Sequence, residues 1–187
     1  QIGEFLKNND VKMIVIACNT VSSTALELLR ETYPDIPIVG CITPTAKEVV
    51  KICDKDSRIG IMATKATVKS GVYEDKIKSL NEELFIESIA CPALVPLIEE
   101  GIIDNEIMDL TLKYYLDDFI RENDINTLIL GCTHYPLISK NLQRLYPNIK
   151  IFSSSKEVAT AVKMELEAAD MLSQNENAKS IFYASDL

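Results

Sequence analysis

The chain has 187 residues, 47% hydrophobic and 25% charged, the composition of an ordinary globular protein that can bury a core. With 19 Lys+Arg against 28 Asp+Glu the formal charge is -9, so a nucleic-acid or anionic-membrane surface would need a basic patch working against the overall field; none stands out, and no nucleic-acid partner is expected. The longest apolar runs, 13–18 and 127–132, are strand-sized and fall far short of the roughly 18 residues a membrane-spanning helix needs, so no membrane partner is expected either.

In chain order, a helix end and a turn at Asn9-Asp10 lead into a continuous apolar run, 13–17, which stops at Cys18. A helix, a Tyr33-Pro34 break and a second apolar strand, 37–39, follow. Next come a strand at 58–62, a helix over about 68–80, a short strand at 84–89 and a helical stretch at 105–121. The first series then returns: a strand at 127–131, Cys132, a helix, Tyr146-Pro147 and a strand at 149–152. The segment 180–184 reads as one more strand. These strands lack period-two alternation, as expected when helices cover both faces of a parallel sheet. Strands alternating with helices at this spacing imply right-handed crossovers and an α/β architecture with an open parallel sheet. No basic segment followed by an apolar stretch opens the chain. Secretion is therefore unsupported, and the five cysteines, Cys18, Cys41, Cys53, Cys91 and Cys132, are expected to be reduced thiols in a cytoplasm.

The returning series is an internal repeat. A shift of 114 positions lays Phe5 on Phe119, Asn9 on Asn123, Asp10 on Asp124, Ile14 on Leu128 and Cys18 on Cys132. After one residue of slippage Tyr33-Pro34 falls on Tyr146-Pro147 and Ile38 on Ile151, and a shorter loop then brings Lys47-Glu48-Val49 over Lys156-Glu157-Val158.

The matched cysteines are the informative residues. Each lies where a strand ends and a helix begins, in Ala17-Cys18-Asn19-Thr20 and Gly131-Cys132-Thr133-His134, and ligands of open α/β sheets bind at that end of the strands. A helix N-terminus there would lower a thiol pKa, and His134 could do the same for Cys132. A single cysteine after a strand is commonly structural, but two at equivalent places of a repeat suggest a small ligand approached from both faces. Inversion of a carbon stereocentre needs such a pair: one base removes the α-proton and an acid on the other face returns one. The α-proton of an amino acid is weakly acidic, and pyridoxal phosphate would be the obvious aid. No glycine-rich phosphate loop is evident among six glycines, however, so a cofactor-free two-base route is preferred.

Four stretches, 14–22 (IVIACNTVS), 58–73 (RIGIMATKATVKSGVY), 90–101 (ACPALVPLIEEG) and 128–137 (LILGCTHYPL), make the chain resemble the bacterial glutamate racemases of the aspartate/glutamate racemase superfamily. The resemblance implies two α/β domains in pseudo-twofold relation with the active site between them: residues 1–41 plus 153–187 in one, residues 42–152 in the other. It further implies interconversion of L- and D-glutamate without a cofactor or metal, supplying D-glutamate for peptidoglycan in the cytoplasm, with Cys18 and Cys132 as the acid/base pair. Asn19 and Thr20 resemble the substrate-binding pair beside the first cysteine, and Thr133 and His134 their counterparts beside the second. Thr64 and Thr67 match threonines that hold the substrate's carboxylate or amino group. Glu100, with Glu99 as the alternative, resembles the acidic residue assisting near Cys132 and His134. Cys41, Cys53 and Cys91 read as packing residues. The only protein partner in view is a second copy, a homodimer being compatible with the resemblance but not required by it. Family members carry an Asp-Ser-Gly turn and a Pro-Tyr-Gly segment before the point where this chain starts, and further residues at the other end. The 187 residues alone are therefore expected to be weakly active or inactive. An aspartate racemase, a zinc site recruiting Cys132, His134 and Cys18, and a noncatalytic fragment of the same fold are the competing readings, the zinc one weakened by the lack of paired ligand spacing.

Overall fold

The structure is a computed structural model and describes residues 1–175 and 177–184. The first helix, α1 (Ile2–Asn8), is left through Asp10, whose backbone is left-handed (φ 51°). β1 (Ile14–Ile16) comes next, then α2 (Asn19–Thr24), α3 (Leu26–Thr32) and β2 (Ile38–Gly40). The two strands pair in parallel as a two-stranded sheet over a small core of Ile14, Ile16, Leu26 and Ile38, while Val15, pointing away from it, is 43% exposed.

After α4 (Ile42–Ile52) the chain builds a second sheet. In sequence these elements are β3 (Arg58–Ala63), α5 (Lys65–Ser70), α6 (Val72–Leu80), β4 (Phe85–Ala90), α7 (Leu94–Glu99) and α8 (Glu106–Asn123). Then come β5 (Thr127–Gly131), a 3-10 turn (Tyr135–Ile138), α9 (Ser139–Leu145), β6 (Lys150–Ser153) and α10 (Ser155–Ala168). The strand order is β4-β3-β5-β6 and every neighbouring pair is parallel.

Both faces of this sheet are covered, which is why its inner strands are apolar throughout. Met62, Leu128 and Leu130 pack with Leu94, Met108, Leu112, Leu116 and Leu142 on one side. Ile59, Ile61 and Ile129 pack with Ile42, Ala46, Val49, Tyr73 and Ile77 on the other, so successive residues of β5 feed opposite cores. Each buried leucine or isoleucine among them contributes about 1.5–3 kcal/mol of transfer free energy. At the end of β5 a Cβ on Gly131 would stand 2.9 Å from Ala63 Cβ and 3.0 Å from the Met62 carbonyl oxygen; glycine is what lets β5 close on β3 beside Cys132.

The repeat is carried into the backbone. Asp10 and Asp124 are both left-handed, at φ 51° and 50°. Asn9 and Asn123 each donate a side-chain hydrogen bond four residues back, to Phe5 and Phe119. Tyr33 and Tyr146 end α3 and α9 with the same backbone, φ/ψ -126/65° and -128/66°. Ile14 pairs with Ile38 as Leu128 pairs with Ile151, so the strand register is the same in both copies. α4 and α10, which come after the matched strands β2 and β6, pack on each other.

Two expectations differ from the structure. The helix expected over 68–80 starts earlier and is broken into α5 and α6 by Gly71, whose left-handed φ of 66° ends one helix and starts the next. The segment 180–184 is not a strand: Ile181, Phe182 and Tyr183 are exposed, with the Tyr183 ring edge-on to Phe5 at 4.9 Å between centroids.

Candidate active site

Cys18 caps the start of α2 and is exposed; Cys132 lies just after β5 and is 7% exposed. The two thiols are near enough that charge on Cys18 acts on Cys132. Burial pushes the Cys132 thiol above its usual 9.0, against the downward pull of the His134 and Thr133 backbone and the Thr133 hydroxyl. Burial here outweighs the lowering expected of a helix start and that of the local hydrogen bonds. Cys132 therefore rests as a thiol.

Around Cys18 the structure gathers three of the expected threonines. Thr20 Oγ1 lies 2.9 Å from Thr64 Oγ1 and 3.3 Å from Thr67 Oγ1, and Thr64 and Thr67 are 3.1 Å apart. Contacts between α2 and α5 bring the small sheet's first turn against the large sheet. Thr64 also caps α5, accepting the Thr67 amide at 3.3 Å, so its Thr-x-x-Thr spacing serves the helix start as well as the cluster. Three hydroxyls that satisfy one another can each rotate to donate to an arriving anion or accept from an ammonium group. Asn19 is 2% exposed, and its Oδ1 accepts the Tyr73 hydroxyl at 2.6 Å.

Around Cys132, His134 Nδ1 is 3.8 Å from Sγ and 3.4 Å from Thr133 Oγ1, while His134 Nε2 is 3.1 Å from Glu99 Oε1. Of the two expected carboxylates, the structure brings Glu99 to His134, whereas Glu100 ends α7 exposed and its carboxylate has no hydrogen-bond partner among the described residues. The geometry of this turn is held from behind: Tyr135, fully buried, donates to the Cys91 carbonyl at 3.1 Å, and the Cys91 amide bonds the Ala63 carbonyl at 2.9 Å. Cys41 and Cys91 are buried, and burial raises the Cys91 thiol to about 12; Cys53 is half-buried. Among the described residues no three His, Cys, Asp or Glu side chains are grouped to hold a metal ion, and no helix is long and apolar enough to cross a membrane.

The Asp/Glu/Hydantoin racemase family pattern matches residues 1–162. The chain belongs to the Asp/Glu/hydantoin racemase family. Among relatives of this racemase-family chain, glutamate racemase of Sulfurihydrogenibium sp. (strain YO3AOP1) is 49% identical over 156 residues, 83% of this chain and 59% of that protein. This chain thus spans about three-fifths of that relative's length. The glutamate racemase of Francisella tularensis in complex with D-glutamate superposes with a TM-score of 0.86 at 31% identity, covering 94% of this chain and 64% of that one. A glutamate racemase isoform of Bacillus anthracis gives a TM-score of 0.87 at 36% identity, with 94% and 65% covered.

Sequence reasoning passed over Tyr73 and Ser22. Ser22, 4% exposed, donates to the Ile16 carbonyl at 3.1 Å and accepts the Cys41 amide at 3.2 Å, fixing the end of β1 against the end of β2. Nothing in the spacing of either residue marks it from an ordinary helix position.

Proposed function

We propose that the protein racemises glutamate by two cysteine acid/bases, without a cofactor. The observation that carries this is the pair of thiols in register-matched turns of one duplicated unit, within a chain whose relatives are glutamate racemases. In one direction Cys18, as thiolate, takes the α-proton while the Cys132 thiol delivers one to the opposite face; in the other the roles reverse. Glu99 accepts from His134 Nε2, which leaves the Nδ1 lone pair of the neutral ring toward Cys132 Sγ. His134 can thus take the Cys132 proton when that residue must act as base. Asn19, Thr20, Thr64, Thr67 and Thr133 bind the amino-acid zwitterion by neutral groups that favour neither enantiomer. The same reading divides the chain into 1–41 plus 153–187 and 42–152, with the substrate between the two sheets. It makes the protein a cytoplasmic supplier of D-glutamate for peptidoglycan.

The test is α-proton exchange in D2O, followed by NMR with L-glutamate, D-glutamate and D-aspartate as separate substrates. Exchange and inversion of glutamate but not aspartate, reduced by Cys18→Ala or Cys132→Ala to exchange of one enantiomer, is the expected result. No exchange of glutamate by the full-length protein overturns the reading.

A further inference from the structure

We propose that Tyr73 is a positioning residue for the first half of this site: its hydroxyl clamps the Asn19 amide oxygen, so that the Asn19 NH2 group is the donor offered to a carboxylate beside Cys18. This rests on the racemase function proposed for the site.

Tyr73 is 1% exposed and belongs to α6, its ring packed among Ile42, Ala46, Val49, Ile59 and Ile77 in the core of the four-stranded sheet. Its hydroxyl reaches out of that core to Asn19 on α2, in the other sheet's first turn, at 2.6 Å. A primary amide has one accepting end and one donating end. With the phenol donating to Oδ1, Nδ2 is directed away from Tyr73; a flipped amide would have to exchange this bond for one donated by Nδ2 to the phenol oxygen, with the hydroxyl turned from Asn19. Nδ2 is buried and has no hydrogen-bond partner among the described residues. An unmet buried donor costs free energy that a bound acceptor would return. The neighbours of Asn19 along the chain are Cys18 and Thr20, and Thr20 belongs to the hydroxyl cluster with Thr64 and Thr67. The unmet donor thus lies beside the other groups suited to a carboxylate. Burial raises the Tyr73 phenol far above its usual range, so it stays protonated and able to donate. Because the ring is rooted in one sheet and the hydroxyl ends in the other, Tyr73 also fixes where α2 stands relative to the large sheet.

The experiment is a double-mutant cycle in the full-length protein, with Tyr73→Phe, Asn19→Ala and both together. Phenylalanine keeps the ring in its core and removes only the hydroxyl. Tyr73→Phe is expected to lower kcat/KM about tenfold, an effect in the range of one lost hydrogen bond, with the melting temperature little changed. In the Asn19→Ala background the same substitution is expected to lower kcat/KM no further, because the effect on the site runs through that amide; Thr45, the other side chain bonded to the Tyr73 hydroxyl, is not part of the site. A second, undiminished tenfold loss in that background, or no loss from Tyr73→Phe by itself, overturns the proposal. A 15N NMR spectrum of the Asn19 side-chain amide separates this from the function itself. If the wild-type protein exchanges no glutamate proton, the racemase reading fails, and the positioning claim is decided by the spectrum. A shifted and broadened Asn19 NH2 pair in Tyr73→Phe supports the clamp, and an unchanged pair removes it.

Discussion

Cys18 closes a three-residue strand of a two-stranded sheet and is exposed, whereas Cys132 closes a five-residue strand held between two neighbours and is 7% exposed. The turns occupy equivalent places in a repeat whose strand register and end-of-helix backbones agree, yet their surroundings do not. The position equivalent to Gly131 is Ala17; the one equivalent to His134 is Thr20, and Asn19 answers to Thr133. Duplication thus places the two thiols in equivalent turns, and the residues after each thiol set its surroundings. The first turn is surrounded by hydroxyls and an amide; the second is backed by an imidazole and a carboxylate.

The sharpest way to break this comparison is to remove each thiol. Cys18→Ala and Cys132→Ala are each expected to lower racemisation by about 10²–10⁴-fold, while leaving deuterium exchange of a different enantiomer in each variant. Exchange of the same enantiomer in both would show that the thiols do not work on opposite faces. The next largest effect is expected at Gly131. Gly131→Ala drives a methyl group into the β3 backbone and is expected to destabilise by about 1–3 kcal/mol, a typical cost of overpacking. Ala17→Gly at the equivalent place of the exposed turn is expected to cost less than about 1 kcal/mol; thermal melts of the two variants check this.

Glu99→Gln is expected to lower kcat/KM about tenfold by loosening His134, with Glu100→Gln near wild type; equal losses would return the assisting role to the neighbouring carboxylate. The smallest effect concerns protonation. The Cys132 thiol is raised by burial, so the folded state favours its neutral form. Its contribution to stability is complete below the usual 9.0 and is lost as the pH climbs through the raised value. The thiolate absorbance of Cys132, taken as the difference between Cys18→Ala and the Cys18→Ala/Cys132→Ala double variant, should therefore rise at higher pH than in unfolded protein. A rise at or below the usual value would contradict the burial argument.

The elements most legible in sequence were those whose residues meet the same surroundings on every side. The runs containing Ile59, Ile61, Leu128 and Ile129 are apolar at consecutive positions because both faces of their sheet are covered, and that signal needs no tertiary knowledge. The cysteine turns were legible because small polar residues stop each run abruptly. What depends on helix phase was not: Glu99 and Glu100 are adjacent in sequence but about 100° apart around a helix, and only the fold decides which faces His134. Composition misled at 180–184, where an Ile-Phe-Tyr run has strand character but no strand to pair with among the described residues. Tyr73 was invisible because its partner lies 54 positions away on the other sheet, beyond any periodicity.

The pairing of Thr20 with His134 across the repeat carries a thermodynamic consequence. Enantiomers have identical free energies in water, so a racemase must have the same kcat/KM in both directions however unlike its two faces are. In the proposed racemase an imidazole behind one thiol, with hydroxyls and an amide beside the other, can therefore never raise kcat/KM toward one hand alone. The imbalance must emerge instead as kcat and KM that differ between L- and D-substrate by one common factor. That factor is a direct reading of how unequally the two halves hold the ground state.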